Sequence, residues 1–100
     1  MSSRNGYLSA AERTEAPHLV RALERIRDAV RAGGADVPAL CAAAGRSLDA
    51  RGWTAEYFEV RRQSDLAAAQ PGDRDLVVLG AARLGRARLI DNLEWVQPAA

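Results

Sequence analysis

Residues 76–96 read LVVLGAARLGRARLIDNLEWV, and this stretch decides the fold class. Leu76 to Ala82 is an apolar run with β-branched residues, which favours a strand. Leu84-Gly85-Arg86 is typical of a tight hairpin loop, because glycine accepts the backbone conformation that such a turn requires. A further strand is expected from about Ala87 to Val96. These segments predict an antiparallel pair of strands.

A third strand precedes this pair. Residues 54–62 alternate around Phe58 and Val60, which is the period-two pattern of a strand with one buried face. Gln70-Pro71-Gly72-Asp73 supplies a turn signal between this strand and the next one. The second half of the chain therefore predicts a small antiparallel sheet of three strands.

The first half of the chain shows the three-to-four-residue spacing of amphipathic helices. Ser9 and Glu12 have the spacing of a capping box, so a short helix should begin after Ser9 and end near Pro17. A second helix is expected from about Pro17 to Ala32, and a third from about Val37 to Ala50. Their apolar stripes are Leu19, Leu23, Ile26 and Val30 in the second helix, and Val37, Leu40, Cys41, Ala44 and Leu48 in the third.

Helices followed by strands predict an α+β fold: a small antiparallel three-stranded sheet with two to three helices packed on one face. The chain has 100 residues, which suits one domain spanning residues 1–100 with a single modest core. Trp53 and Trp95 are expected to cover the edge of that core.

The composition narrows the possible functions. The net charge is +1, with 14 arginines, no lysine and 13 acidic residues. Neither a nucleic acid nor a membrane is therefore an expected partner. The lack of lysine excludes Schiff-base chemistry and a lysine-based phosphate loop. With one cysteine and no signal peptide or membrane-spanning run, we expect a cytoplasmic protein.

Several side chains invite a catalytic interpretation, and each also has a structural one. His18 has no nucleophile or carboxylate constellation placed around it in sequence, and we expect it at a surface or a helix cap. Cys41 lies on an apolar stripe and is expected to be a small core residue. The Arg61-Arg62 pair should be solvated, and Asp91-Asn92 should bond to the backbone near the hairpin. No cluster with metal-ligand spacing is found, so no metal site is predicted.

The chain contains a series of segments whose order and spacing resemble a known family. They are Met1-Ser2-Ser3-Arg4-Asn5-Gly6-Tyr7-Leu8-Ser9, Glu12-Arg13, Ala16-Pro17, Ala82-Arg83-Leu84-Gly85 and Ala87-Arg88-Leu89-Ile90-Asp91-Asn92. The first of them resembles the Ser-Ser-Arg-Asn loop of the pantothenate synthetases (pantoate–β-alanine ligases), with the tyrosine–leucine pair that follows it. The resemblance covers nearly the whole chain, from about residue 1 to residue 96.

The resemblance implies an ATP-dependent ligase that releases AMP. ATP and pantoate give pantoyl adenylate and pyrophosphate, and the amine of β-alanine then attacks the acyl carbon to give pantothenate and AMP. ATP is a substrate and Mg²⁺ assists its phosphates, while no cofactor is expected to bind tightly to this chain alone. The chain resembles the C-terminal lid domain, whose partner is the family's N-terminal nucleotide-binding domain. The pantoate and β-alanine pockets belong to that partner, so we expect the isolated chain to be inactive.

Within this resemblance, residues 1–8 look like the family's mobile ATP-phosphate loop. Arg4, Ser2 and Ser3 are the catalytic candidates, and Met1, Ser2, Ser3 and Arg4 are the ATP-binding candidates. A guanidinium stays charged and offers forked donors that match phosphate oxygens, so Arg4 suits the charge that develops on departing pyrophosphate. The residues alone also fit a frayed chain terminus, and for the isolated chain that alternative stays open.

Two other classes of function compete with the ligase hypothesis. A free-standing α+β interaction module without catalysis would use the helices or an exposed sheet edge as its binding face. A weak nucleic-acid binder would use the arginines. The nucleic-acid alternative is disfavoured, because the 13 acidic residues are dispersed among the arginines and aromatic residues are few.

Overall fold

The computed structural model describes residues 9–34, 36–70 and 72–98. Three helices precede three strands. Their bounds are α1 Ala10–Glu15, α2 Pro17–Ala32, α3 Val37–Ala50, β1 Thr54–Arg62, β2 Asp75–Leu84 and β3 Ala87–Val96. The strands form an antiparallel sheet in the order β1-β2-β3, and the two long helices pack on one face of it. The predicted α+β class is therefore confirmed.

The helices begin where local capping signals place them. Ser9 Oγ accepts a hydrogen bond from the Glu12 N–H at 3.2 Å, and Glu12 Oε1 accepts one from the Ser9 N–H at 2.9 Å. This is the predicted capping box of α1. Pro17 stands at the start of α2, where its missing N–H costs nothing. Asp36 Oδ1 accepts from the Ala39 N–H at 3.2 Å and so caps α3.

The core lies between the sheet and the long helices. Helix α2 buries Leu19, Leu23 and Ile26 of its predicted stripe together with Ala22, whereas Val30 is only partly buried. All three strands supply the opposite side. The buried strand residues in this cluster are Phe58, Val60, Leu76, Val78, Ala82, Leu84, Ala87, Leu89 and Trp95. Removing this apolar surface from water is the main favourable term in folding the domain.

Helix α3 lies at the margin of the core. Its predicted stripe faces the sheet, but only Leu48 is buried; the partly buried members are Val37, Leu40, Cys41 and Ala44. The reason is that α3 packs on β1, which is an edge strand. The apolar stripe of α3 is therefore covered where it contacts the sheet and remains partly exposed to solvent beyond the edge strand.

A tryptophan closes each end of the core. Trp53 immediately precedes β1 and is 3% exposed, while Trp95 lies near the end of β3 and is 7% exposed. The register shows how far apart they are. Thr54 pairs with Arg83 beside the β2–β3 hairpin, whereas Leu76 pairs with Trp95 at the other end of the sheet. The two indoles therefore mark opposite ends of the strands.

The hairpin between β2 and β3 is tighter than predicted. Its loop is Gly85-Arg86, because Leu84 is buried and pairs with Ala87 within the sheet. Strand β2 therefore runs to Leu84 rather than to Ala82. Gly85 has a φ of 61°, whereas Arg86 is not among the described residues with a positive φ. That combination is the type II′ turn, whose twist matches the twist of the flanking strands.

Candidate functional site

The residues predicted to bind ATP are Met1, Ser2, Ser3 and Arg4, and they lie outside the described residues, as does the rest of the predicted loop 1–8. The structure describes the point at which that segment joins the domain, which is Ser9. The candidate site is therefore built from Ser9, helix α1 and the groups that hold α1 in place.

Glu12 connects the beginning of α1 to the β2–β3 hairpin. Its carboxylate lies so close to Gly85 that a Cβ added at this glycine would overlap Glu12 Oε2. The other carboxylate oxygen accepts the hydrogen bond from the Ser9 N–H. One side chain thus joins the N-cap of α1 to the tip of the hairpin. Gly85 serves both the positive φ of the turn and this close approach.

Glu15 connects the end of α1 to the junction between α3 and β1. Arg51 donates through Nε to Oε1 at 2.9 Å and through Nη2 to Oε2 at 2.8 Å, which is a bidentate pair. Trp53 donates its Nε1–H to Oε1 at 3.2 Å, and His18 Nε2 lies 3.9 Å from Oε2. The hydrogen bond from Arg51, followed by that from Trp53, lowers the pKa of Glu15 from 4.5 to about 2.

A third carboxylate lies on the other face of the hairpin end. The register of β1 shifts by one residue between Ala55 and Tyr57, so Glu56 is the extra residue of a β-bulge. A bulge redirects the side chain that it carries. Glu56 accepts from Arg88 Nε at 2.6 Å and from Arg83 Nε at 3.0 Å, and the hydrogen bond from Arg88 is the main cause of its lowered pKa.

His18 and Cys41 lie only in part where they were expected, since the His18 side chain is 20% exposed and is not the cap of α2, and Cys41 lies at the margin of the core. His18 is partly covered and faces Glu15, a carboxylate that the sequence interpretation did not connect with it. Cys41 is half-buried against the core, and desolvation raises the pKa of its thiol. A thiol with a raised pKa is a poor nucleophile at neutral pH.

The arginine pair at the end of β1 is engaged by carboxylates as well as by solvent. Arg61 Nη2 lies 2.6 Å from Glu59 Oε2, and Arg62 Nη2 lies 2.7 Å from Asp65 Oδ2. Both arginine side chains are about one-third exposed. The prediction that this pair is simply solvated was therefore incomplete, because a neighbouring carboxylate neutralises each arginine.

Of Asp91 and Asn92, Asp91 has the predicted side-chain bond to the backbone, but at a different place. Asp91 Oδ1 accepts from the Asn92 N–H at 2.8 Å, as expected of an Asx side chain. However, this bond lies well within β3, opposite Gly80, and not at the hairpin. Asp91 therefore makes a local backbone contact within β3.

A cleft of about 350 Å³ lies at the end of the sheet opposite Ser9, beside Leu76 and Gln97. The side-chain amide of Gln97, which lines this cleft, is engaged within the protein. It donates to the Val30 carbonyl at 2.7 Å and accepts from Trp95 Nε1 at 2.9 Å. Across residues 9–34, 36–70 and 72–98, no three His, Cys, Asp or Glu side chains form a group that could hold a metal.

None of the described helices is long and apolar enough to cross a membrane.

The Glu15 network was missed by the sequence reasoning. Arg51 is 36 residues from Glu15 and Trp53 is 38 residues from it, so no local motif joins them. The one available signal was the spacing of Glu12 and Glu15, which places two carboxylates on one side of the same short helix. That spacing could not indicate their partners.

Comparison with known proteins gives consistent results. A family model described as pantoate-beta-alanine ligase matches residues 1–94. The pantothenate synthetase of Chromobacterium violaceum is 57% identical over 94 residues, covering 94% of this chain and 34% of that protein. The pantothenate synthetase of Neisseria meningitidis serogroup C is 52% identical over 98 residues, covering 98% of this chain and 35% of that protein.

A solved structure agrees with these sequences. The crystal structure of pantothenate synthetase from Thermus thermophilus superposes with a TM-score of 0.78 at 35% identity, covering 93% of this chain and 34% of that chain. The chain therefore spans about a third of the length of the curated relatives and of the solved structure that it matches.

Proposed function

This chain belongs to the pantoate–β-alanine ligase family, and from that membership we propose that it forms the C-terminal lid domain of an ATP-dependent ligase that makes pantothenate. The observation that carries the proposal is the continuous match over residues 1–94. That match includes Ser2, Ser3 and Arg4 as well as the α+β domain that follows them. The proposed partner is the nucleotide-binding domain of the same enzyme.

In the proposed reaction, a carboxylate oxygen of pantoate bonds to the α-phosphorus of ATP, and the bond to pyrophosphate breaks. The amine of β-alanine then bonds to the acyl carbon, AMP leaves, and the amine loses a proton. Mg²⁺ would accompany the phosphates. We propose that the phosphate oxygens of ATP bind it, together with groups from the partner domain.

The role proposed for this chain is to bring phosphate donors to ATP. Arg4 would meet the negative charge on the departing pyrophosphate, and Ser2 and Ser3 would add hydroxyl donors. Met1 is the remaining ATP-binding candidate of the same segment. Support comes from the fixed start of α1, where the Ser9–Glu12 capping box holds the last residue before the helix. A loop attached at a fixed point needs to sample less space to reach its ligand.

A chimeric enzyme tests this proposal. Residues 1–94 would replace the matching segment of the Chromobacterium violaceum pantothenate synthetase, with which they are 57% identical. We expect the chimera to form AMP and pantothenate from ATP, pantoate and β-alanine, and the isolated chain to form neither above background. A folded chimera without activity, or an isolated chain that forms AMP, would contradict the proposal.

A further inference from the structure

Helix α1 follows the proposed phosphate segment in the sequence, yet it buries no side chain of its own. A helix of six residues has almost no intrinsic stability in water. Its orientation must therefore depend on a few contacts. These are the buried Ala16 at its C-terminal end, the approach of Glu12 to Gly85, and the bidentate pair of Glu15 with Arg51.

Among these contacts, Glu15 makes the connection to the sheet. Its side chain is only 25% exposed, and both of its oxygens accept hydrogen bonds. The indole N–H of Trp53 is buried and would lose free energy without an acceptor, which the carboxylate supplies. Arg51 and Trp53 lie in the junction between α3 and β1, so one carboxylate connects the α1–α2 corner to that junction.

We propose that Glu15 is a positioning residue, which aims α1 so that the segment before Ser9 is presented to the phosphates of ATP. This inference rests on the function proposed above and adds a residue that does not touch ATP itself. Six residues separate Glu15 from Ser9, which is about 9 Å of helix. A rotation of roughly 10° at Glu15 would move Ser9 by about 1.5 Å. Displacements on the order of 1 Å cost about a hundredfold in rate when donors must match a transition state.

Two variants remove the connection from opposite sides. Glu15→Gln keeps the size of the side chain and loses its charge, whereas Arg51→Ala leaves the carboxylate and removes its bidentate partner. If Glu15 and Arg51 act only through each other, the double variant should show no larger effect on α1 exchange or on adenylation than either single variant.

The control is Asp65→Asn, because Arg62 and Asp65 form a second bidentate pair. Its distances are 3.2 Å for Nε to Oδ1 and 2.7 Å for Nη2 to Oδ2. This pair lies at the opposite end of β1 from Trp53, so it matches the chemistry without touching α1.

Hydrogen exchange on the isolated chain tests the positioning without any catalysis. The amides of Arg13 and Ala16 bond to the Ser9 and Glu12 carbonyls at 2.9 Å each. Glu15→Gln and Arg51→Ala should speed their exchange about tenfold more than they speed exchange in α2. Asp65→Asn should change the rate of amide exchange in α1 and in α2 by the same factor. If α1 exchanges as slowly in Glu15→Gln as in the wild type, the inference is wrong.

Single-turnover kinetics on the chimera test the consequence for function. Glu15→Gln should slow adenylation at least about tenfold at saturating ATP, while conversion of supplied pantoyl adenylate stays within about twofold. Asp65→Asn should leave both steps within about twofold. An active wild-type chimera whose Glu15→Gln variant adenylates normally would overturn the positioning role alone. An inactive wild-type chimera would count against the proposed function, and the exchange experiment would still show whether Glu15 holds α1 in place.

Discussion

At the scale of single residues, the acid stability of the domain should depend on Glu15. Its pKa of about 2 in the folded state lies below the ordinary value of 4.5, because Arg51 and Trp53 donate to the charged carboxylate. The stabilisation is fully present above about pH 4.5 and is lost as the pH falls through about 2. Glu15→Gln should therefore melt below the wild type near neutral pH, and the difference should narrow towards pH 2. Thermal melts of both proteins across this range provide the measurement, and a pH-independent difference would contradict the assignment.

Arg4 is the residue whose substitution bears most directly on the chemistry. In the chimera, Arg4→Ala should slow adenylation about 10- to 150-fold, which corresponds to the loss of a hydrogen bond to a charged group. Arg4→Lys should recover only part of that rate, because an ammonium keeps the charge and loses the fork. Conversion of supplied pantoyl adenylate should remain near normal, since no pyrophosphate leaves in that step. Adenylation within about twofold of the parent would remove Arg4 from its proposed role.

At the scale of elements, the packing of α2 on the sheet depends on a glycine. A Cβ at Gly80 would lie 2.8 Å from Leu23 Cδ2 and 2.8 Å from Phe58 Cε1, which is closer than carbon atoms pack. Gly80→Ala should therefore destabilise the domain by about 1–3 kcal/mol. Gly45 lies in α3, where a Cβ would meet Ala55 at an ordinary 3.5 Å. Gly45→Ala should thus stabilise by about 0.5–1 kcal/mol. Denaturant unfolding measures both changes. If both substitutions shift the free energy of unfolding in the same direction, this account of the packing is wrong.

The same elements show how far sequence reasoning reaches. The bounds of α2, α3, β1 and β3 were predicted, because they rest on neighbouring residues such as Pro17 at the start of α2 and the Asp36 cap of α3. The bulge at Glu56, the close approach at Gly80 and the Glu15 network were not predicted. Each depends on partners tens of residues away, which no local pattern specifies. The ATP-binding candidates came from the family resemblance, and they stay predictions because residues 1–8 are outside the described ranges.

At the scale of the whole molecule, the long helices and all three strands share one contiguous core. A core of this kind should unfold in one cooperative transition. Calorimetry should give equal van't Hoff and calorimetric enthalpies, with a value of roughly 60–80 kcal/mol for a chain of this length. Broad melting accompanied by dye binding would instead show that the core needs a surface from its partner domain.

The tryptophans at opposite ends of the sheet give the molecule two optical reporters. The indole of Trp53 touches the carboxylate that holds α1, whereas the indole of Trp95 donates to Gln97 at the far end. Trp95→Phe therefore leaves Trp53 as the single tryptophan, beside α1. Its fluorescence spectrum should change when the Glu15 carboxylate moves away. Trp53→Phe leaves Trp95 as the single tryptophan, and its fluorescence should not change with that movement. A shift of a six-residue helix is too small to register in circular dichroism, but it should change the wavelength and intensity of Trp53 fluorescence. The fluorescence of Trp95, at the other end of the same sheet, serves as the reference.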